Sequence, residues 1–402
     1  MSAPRKPVAG VERVGPAGWR QIADWDEVVA ASARPSVFLT LDWMQAWWSS
    51  FGAGLEPWLL RVHDREGTTV ALVPLYVEQL VRGVGSVRRL GLIGDRSVGS
   101  EYLGMAARAG LERDAALAAV ARLRAEGVRW DLADLSGLRD GDPAAAELEL
   151  ALARGAARAV AQRHPCSAIA LPMDFEVYLS ELPPKLRQNY RRRARNLARE
   201  FEVRFFLTES EAELEGDLET LFRLHQARWV DAGEWGVFAD PRMRRFYLDV
   251  SRRLLAAGRL RFWHLEVDGA VRATQFGFVY DGVFHSLQEA FDATFRSDGA
   301  TGLGVVLRGH VLRACIEEGV RSYDFLGGAE EHKTRWRTSV HHVRRARLTV
   351  PGARGRIAWF ATVGAESVRE AIKGALPDGA LPRLRDIRGR YRRAVARQQQ
   401  RP

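Results

Sequence analysis

At 402 residues the chain is too long for one ordinary hydrophobic core, and its length divides it into two or three domains. Its hydrophobic (47%) and charged (27%) fractions are those of a globular protein, no apolar run approaches a bilayer span, and the start MSAPRKPVAGVERVGP has no continuous apolar leader. The two cysteines, Cys166 and Cys315, are too far apart for a disulfide framework or zinc-ligand spacing, so a cytoplasmic setting is expected, and a net charge of +10, carried by arginine, predicts an anionic partner.

The chain first predicts an aromatic-rich helical stretch, WDEVVAASARPSVFLTLDWMQAWWSSFG, then two strands joined by the turn DREG within residues 58–78. A helix ending at EGVR, residues 126–129, leads into the strand DLADLSGL. Next comes LPPKLRQNYRRRARNLARE, residues 182–200. Leu186, Tyr190, Ala194 and Leu197 recur there at helical spacing, and no acid interrupts the arginines before Glu200. Two readings fit this basic helix: a solvated bridge between domains, or a site for a phosphorylated or nucleic-acid ligand met by Arg191, Arg192 and Arg195.

The order then repeats. A second aromatic helical stretch, LETLFRLHQARWVDAGEWG, precedes LRFWHLEVDGAVRATQFGFVYDGVFHSLQEAFD, residues 260–292. In that run Asp268-Gly269 and Asp281-Gly282 predict tight hairpins and hence a three-strand meander. A helix again runs to EGVR, now at 318–321, and a strand follows. The chain is therefore expected to use one α+β unit twice, within 11–181 and 182–350, with a basic helical tail over 351–402. Before the second helix stands GATGLG, whose glycines let a backbone come close to a ligand; the free N–H groups of a helix's first turn suit phosphate. The histidines His332, His341 and His342 lack metal spacing, and no metal is expected.

The order helix, meander, glycine turn, helix, strand resembles the GNAT acyltransferase fold. The segment FDATFRSDGATGLGVVLRGHVLRACIEEGVRSYDFLGGAEEHKTRW is similar to BioF2-like and CelD (BcsL)-type acetyltransferases, relatives of Fem-type peptidyltransferases. The resemblance implies a duplicated GNAT fold with mixed, largely antiparallel sheets flanked by helices. It also implies acetyl-CoA or another acyl-CoA as co-substrate, held by Gly299, Thr301, Gly302 and Gly304. One departure stands out: Gly299 occupies the place three residues before the first glycine of Gly-x-Gly where the common turn has Gln or Arg. In duplicated proteins of this kind one unit usually keeps the donor site, so the first unit is expected to be degenerate and to shape the acceptor groove.

Acyl transfer to an amine needs a proton acceptor and a stabiliser for the carbonyl oxygen. Glu289 and Asp324 are the expected bases, Tyr323 a proton donor to the leaving thiol, and Lys333 an oxyanion or acceptor group; Arg335 and Trp336 would hold the acceptor. The expected acceptor is an amine or hydroxyl of a sugar, polysaccharide or cell-envelope precursor. Two alternatives remain open: an aminoacyl-tRNA-dependent peptidyltransferase, and a silent scaffold for polyanions.

Overall fold

The computed structural model describes residues 8–82, 85–95, 98–231, 236–295 and 302–364. They pack as two units, the first made of the chain up to Pro165 together with residues from His341 onward, the second of Cys166–Val340. The first unit runs through β1 (Gly10–Val14), α1 (Trp25–Ala30), α2 (Leu41–Phe51), β2 (Glu56–His63), β3 (Thr69–Arg82), β4 (Gly85–Leu92), β5 (Ala106–Ala107), α3 (Glu112–Ala125), β6 (Leu132–Arg139) and α4 (Pro143–Ala153), then enters β7 (Arg158–Ala170). The second contains α5 (Phe175–Glu181), α6 (Pro184–Glu200), β8 (Val203–Leu207), α7 (Glu211–Asp231), α8 (Pro241–Ala256), β9 (Leu260–Val267), β10 (Ala270–Tyr280), β11 (Val283–Phe291), α9 (Leu303–Glu317), β12 (Ser322–Gly327) and α10 (Glu331–Thr334). The chain then returns to the first unit with β13 (Ser339–Thr349) and α11 (Ala353–Trp359).

Local chemistry explains the punctuation. Asp64 Oδ1 accepts from the amides of Glu66 and Thr68, both at 2.9 Å, and ties the β2–β3 turn. Asp268-Gly269 and Asp281-Gly282 have φ of 49° and 72°, and 45° and 67°, the left-handed pair a two-residue hairpin needs, so β9, β10 and β11 form the expected meander. Asp142, Asp174 and Asp240 cap α4, α5 and α8 through their side chains.

The strands of the two units share one connectivity. In the first, β1, β2, β3 and β4 are successively antiparallel, β6 joins β4 in parallel, and β13 closes antiparallel on β6. In the second, β8, β9, β10 and β11 are antiparallel, β12 joins β11 in parallel, and the end of β7 closes antiparallel on β12. A parallel neighbour requires a crossover, supplied by α3 in one unit and α9 in the other. The expected α+β architecture is thus present twice. The expected division at residue 181/182 differs from the packing: β13, assigned by sequence to the second unit, pairs with β6 of the first, and Cys166–Ala170 pair with β12 of the second. Of the expected tail, residues 365–402 lie outside the described residues.

The first core is built on tryptophans: Trp43 and Trp47 are wholly buried, and the Trp47 indole donates to Asp95 O at 2.7 Å. In the second, α6 lays Leu186, Tyr190 and Leu197 on a cluster with Phe284, Tyr323, Phe325 and Trp336 and turns Arg191, Arg192, Arg195 and Arg199 outward. Tyr190 covers Gly309 of α9, where a Cβ would strike its ring.

Candidate active site

The parallel ladder between β11 and β12 lasts only three pairs, Val283 with Ser322, Phe284 with Tyr323 and His285 with Asp324. Beyond it lies a pocket of about 270 Å³ lined by Ser286, Leu287, Gln288 and Glu289 of β11, Phe325 of β12, Arg308 of α9, Arg228 and Trp229 of α7, and Glu330, His332 and Lys333. A bulge shapes its wall: on β10, Phe276 faces Gln288 and Gly277 faces Ser286, so Leu287 is an extra residue. The inserted residue shifts the strand's alternation and puts Ser286 and Glu289 on one face. Gln275 donates to Ser286 Oγ at 3.1 Å and also to the Tyr323 hydroxyl, which lies 3.5 Å from Glu289 Oε1.

Glu289 is held from the other side by Arg308. Nε of Arg308 donates to Oε1 at 3.1 Å, a second guanidinium nitrogen meets Oε2, and the third donates to His332 O at 3.0 Å. The Arg308 side chain is 6% exposed and sits between the rings of Phe325 and Trp336. Burial opposes its charge, but Glu289 and Tyr323 outweigh that and raise the guanidinium above its ordinary pKa. Burial, reinforced by the Glu289 charge, pushes the Tyr323 hydroxyl well up, so it stays protonated.

Glu289 and Lys333 line the pocket. Lys333 Nζ donates to Gly327 O and lies 3.4 Å from Glu330 Oε2. It reaches the pocket because β12 ends in a sharp exit, with Leu326 at φ 59° and Gly328 at φ 98°. Glu289, with both oxygens on one guanidinium, anchors Arg308 rather than standing free as a base. Tyr323 is wholly buried under the Gln275–Glu289 network and does not line the pocket. Asp324 does not join it either: strand alternation turns it to the opposite face, where Oδ1 accepts from Leu326 N at 2.7 Å and Oδ2 lies 3.9 Å from His285 Nδ1. Trp336, expected to touch the acceptor, is 0% exposed and packs beneath Arg308.

At the N-terminal start of α9, Gly302 caps the helix at φ 105°, a conformation that favours glycine, and the Arg193 guanidinium stands where its Cβ would be. Gly304 is under no such constraint; its Cβ would rest 3.4 Å from Phe291. Gly299 and Thr301 lie outside the described residues. Arg335 is exposed; burial first, and then Arg308 and Arg193, lower its pKa, so three guanidinium groups converge on this end of the domain. Arg191 is engaged with Glu176, and Arg192 and Arg195 are exposed.

Sequence reasoning missed Arg193, Arg228, Arg308 and His332. Burial, then Arg308 and Lys333, lowers the His332 pKa, which keeps its imidazole neutral and able to accept a proton. Arg308 had a signal in VVLRGHVL, a lone cation inside an apolar helical run. Among the described residues no cluster of three His, Cys, Asp or Glu side chains could hold a metal.

The corresponding helix of the first unit starts differently. Gly110, at φ 86°, stands one residue before Leu111, the N-cap of α3, whereas Gly302 is itself the N-cap of α9. In addition, α3 carries Glu112 and Asp114 in its first turn and α9 carries no acid there.

Comparison with known proteins agrees with this fold. Residues 184–334 match the family described as acetyltransferase (GNAT) domain. No curated protein matches the chain. Among solved structures, FemX is 10% identical over 84% of this chain and 97% of its own, with a TM-score of 0.55. L-PGS from Bacillus licheniformis is 10% identical over 87% of this chain and 96% of its own, with a TM-score of 0.50. These likenesses carry the fold across both units, and the family match covers the unit with the pocket. Residues 184–334 of the second unit thus carry a GNAT-type acetyltransferase domain, a match that supports an acetyltransferase enzyme and implies an acyl-CoA co-substrate.

Proposed function

We propose that the protein transfers an acyl group, in the first instance acetyl from acetyl-CoA, to an amine or hydroxyl of a sugar, polysaccharide or cell-envelope precursor, and that the second unit does the chemistry. The observation that supports this reading is the pocket at the end of the β11–β12 ladder, where Lys333, His332 and the Arg308–Glu289 pair meet a few residues from the glycine-led start of α9. In this reading the first-turn amides of α9, with Arg193 and Arg335, hold the donor's phosphates. The carbonyl lies against the bulge at Leu287, and Lys333 stabilises the negative charge that develops on its oxygen. His332 accepts the proton of the attacking amine or hydroxyl, and Glu289 holds Arg308, which fixes the His332 backbone by a hydrogen bond. The acids in the first turn of α3 disfavour phosphate there, so the first unit is read as the copy without a donor site.

A second reading, transfer from an aminoacyl-tRNA, is favoured by the exposed cations of α6, Lys185, Arg192, Arg195 and Arg199. A thermal-shift comparison of acetyl-CoA with aminoacyl-tRNA separates the two, since a ligand at 100 times its dissociation constant adds about 2.7 kcal/mol of stability. Stabilisation by acetyl-CoA and release of free thiol with amino-sugar acceptors are expected. Stabilisation by the tRNA alone, reduced by Arg192→Gln with Arg195→Gln, would replace the first reading by the second.

A further inference from the structure

The first unit carries a surface that the acyl-transfer chemistry does not use. α11 packs inward through Ala358, which is 0% exposed and touches Val87 of β4 and Leu132 of β6. On its outer side Ile357 is 53% exposed, and Phe360, one helical turn on, is 65% exposed. Arginines frame this apolar step: Arg354 and Arg356 on the same helix are exposed, and Arg158 lies 5.6 Å from the Trp359 ring. The first turn of α11 also borders a cavity of about 590 Å³ lined by Arg88, Arg129, Trp130 and Asp131. Asp131 is buried and committed, accepting from Arg88 N at 2.9 Å and from Arg354 Nε at 2.9 Å. Glu56 is shared between Arg88 and Arg13. Arg129 and Arg356 therefore add positive charge beyond what these acids offset. The sequence continues the trend, with ten Lys and Arg against four Asp and Glu from residue 365 to the end.

We propose that this face of the first unit docks on an anionic lipid surface, with Ile357 and Phe360 entering the headgroup boundary and the arginine-lined cavity receiving lipid phosphates. An aliphatic and an aromatic side chain on one side of a short helix, rimmed by arginines and next to a partly exposed tryptophan, is the arrangement that interfacial helices use. Charge complementarity selects anionic over neutral lipid, because each arginine near such a surface contributes about 1 kcal/mol.

The test is flotation of the full chain with vesicles of phosphatidylcholine alone and of phosphatidylcholine mixed with phosphatidylglycerol. Binding to the mixed vesicles only, weakening as salt rises, is expected. Ile357→Asp with Phe360→Asp should abolish flotation at unchanged melting temperature, since both side chains are exposed. Arg129→Gln and Arg356→Gln should each weaken partitioning about fivefold. Equal binding to neutral vesicles, no binding, or variants that float like the parent would overturn the proposal. Stabilisation by free glycerol 3-phosphate without flotation would overturn it too and make the cavity a site for a soluble phosphate. Loss of self-association in the Ile357→Asp, Phe360→Asp variant without any flotation of the parent would instead assign the face to a second copy of the chain.

Discussion

Arg308 of α9 and Glu289 of β11 form a two-pronged ion pair in which the arginine is 6% and the glutamate 23% exposed at the side chain, and the same guanidinium reaches the backbone of His332. The pair joins three elements around the pocket. Removing one partner leaves the other charge desolvated and unmatched. Arg308→Met or Glu289→Leu alone should therefore cost about 3–5 kcal/mol of stability, and the double variant much less than the sum. Urea midpoints of the four proteins check this. Additive losses would show that the pair is not coupled.

Lys333→Met keeps most of the aliphatic volume and removes the charge. With Lys333 at the reacting carbonyl, the barrier should rise by roughly 2.7–4 kcal/mol, a hundredfold or more in kcat, with little change in melting temperature. The competing role is a partner for Glu330, 3.4 Å away, which would be worth about 0.2–1 kcal/mol of stability and nothing for turnover. Turnover equal to the parent's would remove Lys333 from the site.

Gly302 and Gly304 should part company. Gly302→Ala forces a side chain into φ 105° and against Arg193, costing roughly 1–2 kcal/mol in backbone strain and displacing a cation from the α9 start, so affinity for acetyl-CoA should fall. Gly304→Ala meets only Phe291 at 3.4 Å and should bind nearly as the parent does. Calorimetric titration with acetyl-CoA decides, and equal affinity for both variants would move the donor's phosphates elsewhere.

Stability should fall on mild acidification. Burial lowers His225, His264 and His310 from 6.5 to about 4 each, with Arg228 adding to the effect at His225 and Arg313 at His310. Above pH 6.5 the imidazoles are neutral in both folded and unfolded chains, so their contribution is fully present. Between that value and about 4 the unfolded chain binds protons that the folded one refuses, and stability drops as pH drops. His310 stacks on Phe205 at 3.9 Å between ring centroids, so His310→Phe should keep the packing and flatten the pH slope of the urea midpoint. An unchanged slope would exclude His310 as a contributor.

The hairpins were legible because Asp-Gly names its own backbone conformation, and α6 was legible because its apolar stripe has the helical period. The pocket was legible only in outline. Tyr323 and Asp324 must face opposite sides of β12, yet alternation alone does not say which side holds the site. Trp336 reads as a ligand contact beside Lys333 and Arg335, but a flat indole was also what the space under Arg308 required. The return of β13 to the first unit depends on pairing with residues some two hundred positions away, and no local pattern encodes it.

Leu287 makes the side-chain order of β11 a matter of counting. Strict alternation counted through it would set Glu289 on the face opposite Ser286, whereas the bulge keeps Ser286 opposite Gly277 and Glu289 opposite Gln275, both on one side of the sheet. Gaps in this strand therefore have to be placed by the pairing of Ser286 with Gly277 and of Gln288 with Phe276, because an alignment that slides by one residue here assigns the pocket to the wrong side chains.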